Sequence, residues 1–141
     1  DAWAIFSYAE RVKGYDESPE ASANARAKTP DVAHPLVNHH PVEGWGALYM
    51  DPGTTAGIEG LPEAEGRALL KELAEHATQP PFVYKHEWQM GDLVMWDNGF
   101  TLHRRGFLDP RRPRLMKRTT VKLSPDLHIV PKTRQPELAE T

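Results

Sequence analysis

The chain has 141 residues, 39% of them apolar and 26% charged, with a formal net charge of −3 and a pI near 6.2. That length suits one globular domain with a modest core, and the slightly acidic balance argues against a partner chosen by global charge, whether nucleic acid or an anionic membrane. There is no cysteine, so disulfides and thiolate metal sites are excluded.

In chain order, residues 1–13 place Trp3, Ile5, Phe6, Ala9 and Val12 close to a helical stripe that Gly14 would stop. Residues 15–30 are acidic, small and Pro-containing with little to bury, and the reading is a flexible loop. His34 and His40 each precede proline, which favours extended backbone at a loop entry. His39 and His40 are adjacent, so on a strand they would point to opposite faces and could not easily share one ion. The run Trp45 to Met50 predicts a strand, followed by turn chemistry at Asp51-Pro52-Gly53. The best helix signal covers 61–81: Pro62 suits the first turn, and Glu63 and Glu65 complement the positive end of the dipole. Leu69, Leu70, Leu73 and Ala77 share a face, and Pro80-Pro81 ends the element. His76 falls near that helix's C-terminus. FVYKHEWQ, the turn Met90-Gly91-Asp92 and LVMW read as a hairpin or sheet corner. RLMKRTTVKL, 114–123, reads as a final strand, and the tail 124–141 as a surface wrap. The pattern is mainly β with flanking α, compatible with an antiparallel barrel or double-sheet roll.

Seven of the seventeen Lys and Arg residues fall within 96–121, around His103. On a strand Arg114, Met116, Arg118 and Thr120 would share one face and Lys117 the other. Two arginines facing an interior each require an anionic partner, and a ligand carboxylate matches the guanidinium fork. The alternative is that both lie on a solvated surface. Arg104, Arg105, Arg111 and Arg112 read as loop charges, with Arg112 the substitute if the strand register shifts by two. His86 and His128 have no evident chemical neighbours.

WDNGFTLHRR followed by RLMKRTTV resembles the C-terminal signature of the TauD/TfdA family of iron(II)- and 2-oxoglutarate-dependent dioxygenases, and the co-linear likeness runs from about His34 to Val121. The resemblance implies a double-stranded β-helix, a cupin-like jelly roll, present here in part. It implies that His103 is the distal metal ligand and Arg114 the partner of the 2-oxoglutarate carboxylate. Arg118 would grip an anionic group of the primary substrate, while Trp96, Asp97, Asn98 and Thr101 shape the site. The implied cofactors are Fe(II), 2-oxoglutarate as cosubstrate and O2, and the implied reaction is hydroxylation of a small anionic organic substrate with release of succinate and CO2. A sulfonate, sulfate ester or carboxylate is the expected substrate class. A cytoplasmic enzyme forming a dimer or tetramer, with no nucleic-acid or membrane partner, is the corresponding expectation.

The family's H-x-D or H-x-E motif is missing: no histidine here is followed two residues later by Asp or Glu. Together with an initial Asp1, this leads to the expectation that residues 1–141 are the C-terminal part of one catalytic domain. The alternatives are a non-catalytic jelly-roll module that binds an anionic ligand, or a degenerate family fragment.

Overall fold

The computed structural model describes residues 2–13, 15, 18–107, 109–111, 115–121 and 134–136. Among the described residues, five strands form two small sheets. The first sheet has the order β2-β1-β5, with β1 (Trp3–Phe6) between β2 (Val32–Pro35) and β5 (Thr55–Ile58), both antiparallel to it. The second is a hairpin of β3 (Val37–His39) and β4 (Gly46–Leu48). Leu36 joins them: its N–H donates to the carbonyl of Ala2 at 2.9 Å, and its own carbonyl accepts from Tyr49 at 2.8 Å.

The first thirteen residues are not one helix, as their apolar spacing suggests, but a strand followed by the short helix α1 (Tyr8–Lys13). Local periodicity loses here to pairing, because β1 finds a neighbour on both edges and Ala4 becomes fully buried between them. Ser7 makes the turn between strand and helix. Its N–H donates to Thr54 at 2.8 Å, its hydroxyl donates to Asp31 at 2.6 Å, and its carbonyl accepts from Glu10 at 3.2 Å.

The segment read as a loop over 15–30 contains α2 (Pro19–Lys28). Apolar patterning misses this helix because it buries only small side chains, Ser22 and Ala25, against α1. Its end signals were nonetheless present. The Ser18 hydroxyl accepts from the Ala21 N–H at 3.2 Å, Pro19 opens the first turn, and Arg26 and Lys28 lie in the last.

Helix α3 (Glu63–Ala77) lies across β5. Gly66 is the point of closest approach, since a Cβ there would stand 3.3 Å from the backbone nitrogen of Ile58. The buried face runs through Gly66, Leu70, Leu73 and Ala74, and Leu69 turns outward at 37% exposure instead of joining it. Leu70 completes a core with Ala4, Leu36, Met50 and Ile58. The helix ends at Ala77, where the Thr78 hydroxyl donates to the Ala74 carbonyl at 2.8 Å, and a 3-10 turn at Pro80–Phe82 follows.

His34 has the extended backbone expected before proline, but it lies within β2 and is buried rather than at a loop entry. Its Nδ1 is 3.0 Å from the carbonyl oxygen of Pro35, and its ring packs edge-on against Tyr49. The strand expected over 45–50 is present but shorter, as β4.

The expected hairpin over 82–96 does not form, and neither do 115–121 make a strand: among the described residues, no strand follows β5. Met90, Leu93, Met95, Phe107 and Leu115 are almost fully exposed. A strand requires a hydrogen-bonded neighbour, and no described strand offers one to this stretch. Of the tail 124–141, only 134–136 lie within the described residues. Arg134 bridges antiparallel to Ala33, with hydrogen bonds of 2.7 and 3.0 Å. The Arg134 guanidinium also meets Glu59 at 2.6 Å and covers the Trp3 ring at 4.5 Å. No helix among the described residues is long and apolar enough to cross a membrane.

Candidate active site

The sequence Trp96-Asp97-Asn98-Gly99-Phe100-Thr101 closes on itself as a turn. The Asp97 side chain accepts from the Gly99 N–H at 2.8 Å, and the Asp97 carbonyl accepts the Thr101 N–H at 3.1 Å and its hydroxyl at 2.5 Å. Asp and Thr suit this arrangement because their short polar side chains can serve backbone groups two to four residues away. Trp96 donates from its indole nitrogen to Asn98 at 3.3 Å, and its ring lies 5.0 Å from that of His103. Thus the motif walls one side of the imidazole with an indole.

The β3–β4 hairpin holds this turn in place. His40 Nδ1 accepts the N–H groups of Val42 and Glu43 at 3.3 and 3.1 Å, which fixes the ring in the hairpin loop and puts the proton of its neutral form on Nε2. The ring then stacks on Trp45 at 5.0 Å and meets Phe100 at 4.8 Å, while Trp45 and Phe100 are edge-to-face at 5.2 Å. Asn38 adds a long hydrogen bond, 3.5 Å, to the Gly99 carbonyl. Nothing in the sequence pattern singled out His40, Trp45 and Asn38 as supports of the motif, because they lie about sixty residues upstream of it.

His103 itself is exposed and lines a cleft of about 630 Å³ shared with α1, the Asp51–Thr55 turn and Arg67. The turn is built by Asp51, which accepts from Thr54 and Thr55 N–H through its carbonyl and from Gly53 N–H through its carboxylate. Glu10 accepts from Lys13 at 2.5 Å and faces Arg67 at 3.6 Å. The Lys13 hydrogen bond, together with the Lys13, Arg67 and Arg26 charges, holds the Glu10 carboxyl below the ordinary glutamate range against the opposing effect of burial. Arg67 is pushed up by its hydrogen bond to Glu63.

Of the two described residues among the three expected to form the site, His103 lines this cleft. Arg118 is exposed and does not line it, so the two are not brought together; Arg114 lies outside the described residues, as does Arg112. Arg111 instead forms a two-pronged ion pair with Asp109, at 3.0 Å on each carboxylate oxygen, and this holds the Asp109 carboxyl below the ordinary range. His86 bonds Asp92 at 3.0 Å and approaches the Tyr84 hydroxyl at 3.3 Å, a local knot away from His103's cleft.

The chain belongs to the taurine catabolism dioxygenase TauD, TfdA family, whose profile matches residues 2–120. It is 49% identical over 102 residues to an alpha-ketoglutarate-dependent 2,4-dichlorophenoxyacetate dioxygenase of Burkholderia sp. (strain RASC), covering 72% of this chain and 34% of that one. A crystal structure of a Burkholderia xenovorans protein assigned as an alpha-ketoglutarate dependent 2,4-D dioxygenase matches with TM-score 0.60 and 40% identity, over 70% of this chain and 38% of that one. The crystal structure of AAD-2 in complex with Mn(II) and N-oxalylglycine matches with TM-score 0.54 and 33% identity, over 63% and 34% of the two chains. The chain spans about a third of the length of the 2,4-dichlorophenoxyacetate dioxygenases among its curated relatives.

Proposed function

We propose that this chain is the C-terminal part of an iron(II)- and 2-oxoglutarate-dependent dioxygenase. The enzyme hydroxylates a small anionic organic substrate of the sulfonate, sulfate ester or carboxylate class and releases succinate and CO2. The observation that carries the reading is the placement of His103, which the self-bonded turn and the hairpin behind it hold at a polar cleft in a chain of this family.

The described residues do not by themselves make up a metal site. Among the described residues no three His, Asp or Glu side chains cluster, and the sequence has no H-x-D or H-x-E. In this reading His103 is one ligand of an iron whose other ligands are not among the described residues. Iron, once bound by a full set of two histidines and a carboxylate, supplies the oxidising chemistry. What this chain contributes is placement: His103 offers an imidazole nitrogen, with Trp96 against its ring. Arg114 pairs with the distal carboxylate of 2-oxoglutarate and Arg118 with an anionic group of the substrate, each through a guanidinium fork. Both arginines require 114–123 to become a strand of a jelly roll, which the exposed apolar side chains of 83–121 would complete when paired with strands from the rest of the domain. A cytoplasmic dimer or tetramer belongs to the same reading.

The test is succinate release, with iron(II), 2-oxoglutarate and ascorbate, by a protein that contains this segment within a complete family domain, across aryloxy acids, sulfonates and sulfate esters. His103→Ala and Arg114→Ala should each abolish it; unchanged release in both refutes the assignment. A second reading, favoured by the absence of a ligand cluster among the described residues, is a jelly-roll module that binds an anion without redox chemistry. Ligand binding without succinate release by the complete domain would select it.

A further inference from the structure

The chain has three asparagines, and the structure gives each a different setting. Asn24 is exposed but lies inside α2, with Ala25 after it. Asn38 lies in β3, is buried at 6% exposure and is followed by His39. Asn98 is exposed, stands in the turn that precedes His103 and is followed by Gly99. An asparagine side-chain carbonyl is open to attack by the backbone nitrogen of the next residue, which closes a cyclic imide. Helix and strand fix the backbone against that closure, and a Cβ on the following residue obstructs it; glycine in a turn imposes neither restraint.

Two contacts of the turn act on the reacting groups themselves. The Gly99 N–H, whose nitrogen is the nucleophile, donates to the Asp97 carboxylate at 2.8 Å, so an acceptor for its proton is already within reach. The Asn98 side-chain oxygen accepts the Trp96 indole N–H at 3.3 Å, a donor placed where negative charge gathers as the carbonyl is attacked. A Cβ at position 99 would stand 3.3 Å from the Asp97 carboxylate oxygen, so a larger residue crowds the same acceptor.

We propose that the Asn98–Gly99 pair is a site of spontaneous covalent modification, deamidation through a cyclic imide, with Asp97 as the proton acceptor. The Gly99 nitrogen forms a bond to the Asn98 side-chain carbonyl carbon and gives up its proton to Asp97. The bond from that carbon to the side-chain nitrogen breaks, and the nitrogen takes a proton and leaves as ammonia. Water then opens the imide at either carbonyl, leaving aspartate or isoaspartate at position 98. No oxidant, metal or second protein takes part. Both products add a negative charge two residues from Trp96, whose ring stands 5.0 Å from that of His103. Isoaspartate also lengthens the main chain inside the loop that the Asp97 carbonyl closes on the Thr101 N–H and hydroxyl, and so breaks those bonds.

The experiment is incubation of the 141-residue chain in EDTA at mildly alkaline pH, followed over days by peptide mapping in a mass spectrometer. The mass reports acid in place of amide, and the fragmentation pattern distinguishes isoaspartate. Conversion at Asn98 is expected to be about tenfold or more faster than at Asn24 or Asn38, which serve as internal standards. Gly99→Ala should slow it about tenfold or more, since the new Cβ obstructs ring closure. Asp97→Asn keeps an oxygen that can accept the Gly99 N–H but is no base, and should slow conversion about threefold or more. The proposal is overturned if Asn98 keeps its amide, if the three asparagines convert at similar rates, or if Gly99→Ala reacts within about twofold of the parent. An unchanged rate in Asp97→Asn overturns the assignment of Asp97.

Discussion

The imidazole of His40 and the phenyl ring of Phe100, sixty residues apart in sequence, meet at 4.8 Å, and through this contact the β3–β4 hairpin carries the turn that presents His103. The contact is reinforced by Trp45, which touches both rings. Phe100→Ala should therefore cost about 1–3 kcal/mol, less than a fully buried phenylalanine, because the ring is only partly covered. It should also free the Trp96–His103 pair. Urea unfolding reports the first effect and the His103 ring resonances the second; a destabilised variant with unaltered His103 resonances would show that the hairpin does not position the motif.

The ion pair between Arg134 and Glu59 closes the chain's far end onto the first sheet, and the Glu59 side chain is only 9% exposed. Removing Arg134 leaves that carboxylate without this partner and uncovers Trp3. Arg134→Ala is expected to lower stability by about 1–3 kcal/mol and to shift Trp3 fluorescence toward the red. Glu59→Gln, which keeps a hydrogen-bond acceptor, should cost less. Equal losses for the two would argue against a charge-based role.

Where α3 passes β5 at Gly66, no side chain fits without moving the backbone of Ile58. Gly66→Val should destabilise by about 1–3 kcal/mol from overpacking, despite removing a poor helix former. Thermal denaturation checks this, and a midpoint unchanged or raised would place the helix farther from the sheet.

Glu10 gives an acid-side signature. Its folded pKa is depressed, first by the Lys13 hydrogen bond and then by the surrounding charges. A depressed carboxylate contributes stability that is fully present above its unfolded value of about 4.3 and is lost as pH falls through the folded value. The difference in stability between the parent chain and Glu10→Gln should thus be greatest near neutral pH, within about 1 kcal/mol for so peripheral a pair, and shrink below about pH 4. A difference that grows on acidification contradicts the ion-pair assignment.

What sequence alone determines is the chemistry available and the strongly marked local elements. The WDNGFTLH motif could be recognised by its residues, and Pro62, the two glutamates and the leucines mark α3 because a helix of fifteen residues repeats its signal over several turns. Asp51-Pro52-Gly53 likewise encodes its turn within a few bonds. Tertiary structure alone decides the rest. Trp3–Phe6 is a strand because two others flank it, and α2 packs through Ser22 and Ala25, too small to mark a stripe. The residues 83–107 and 115–121, patterned in part for strands, remain without them because strand hydrogen bonds require a neighbour that a sequence window does not contain. For the same reason the role of His40 becomes visible only when distant segments are laid side by side: it depends on which partners are within a few ångströms, and that is settled by packing.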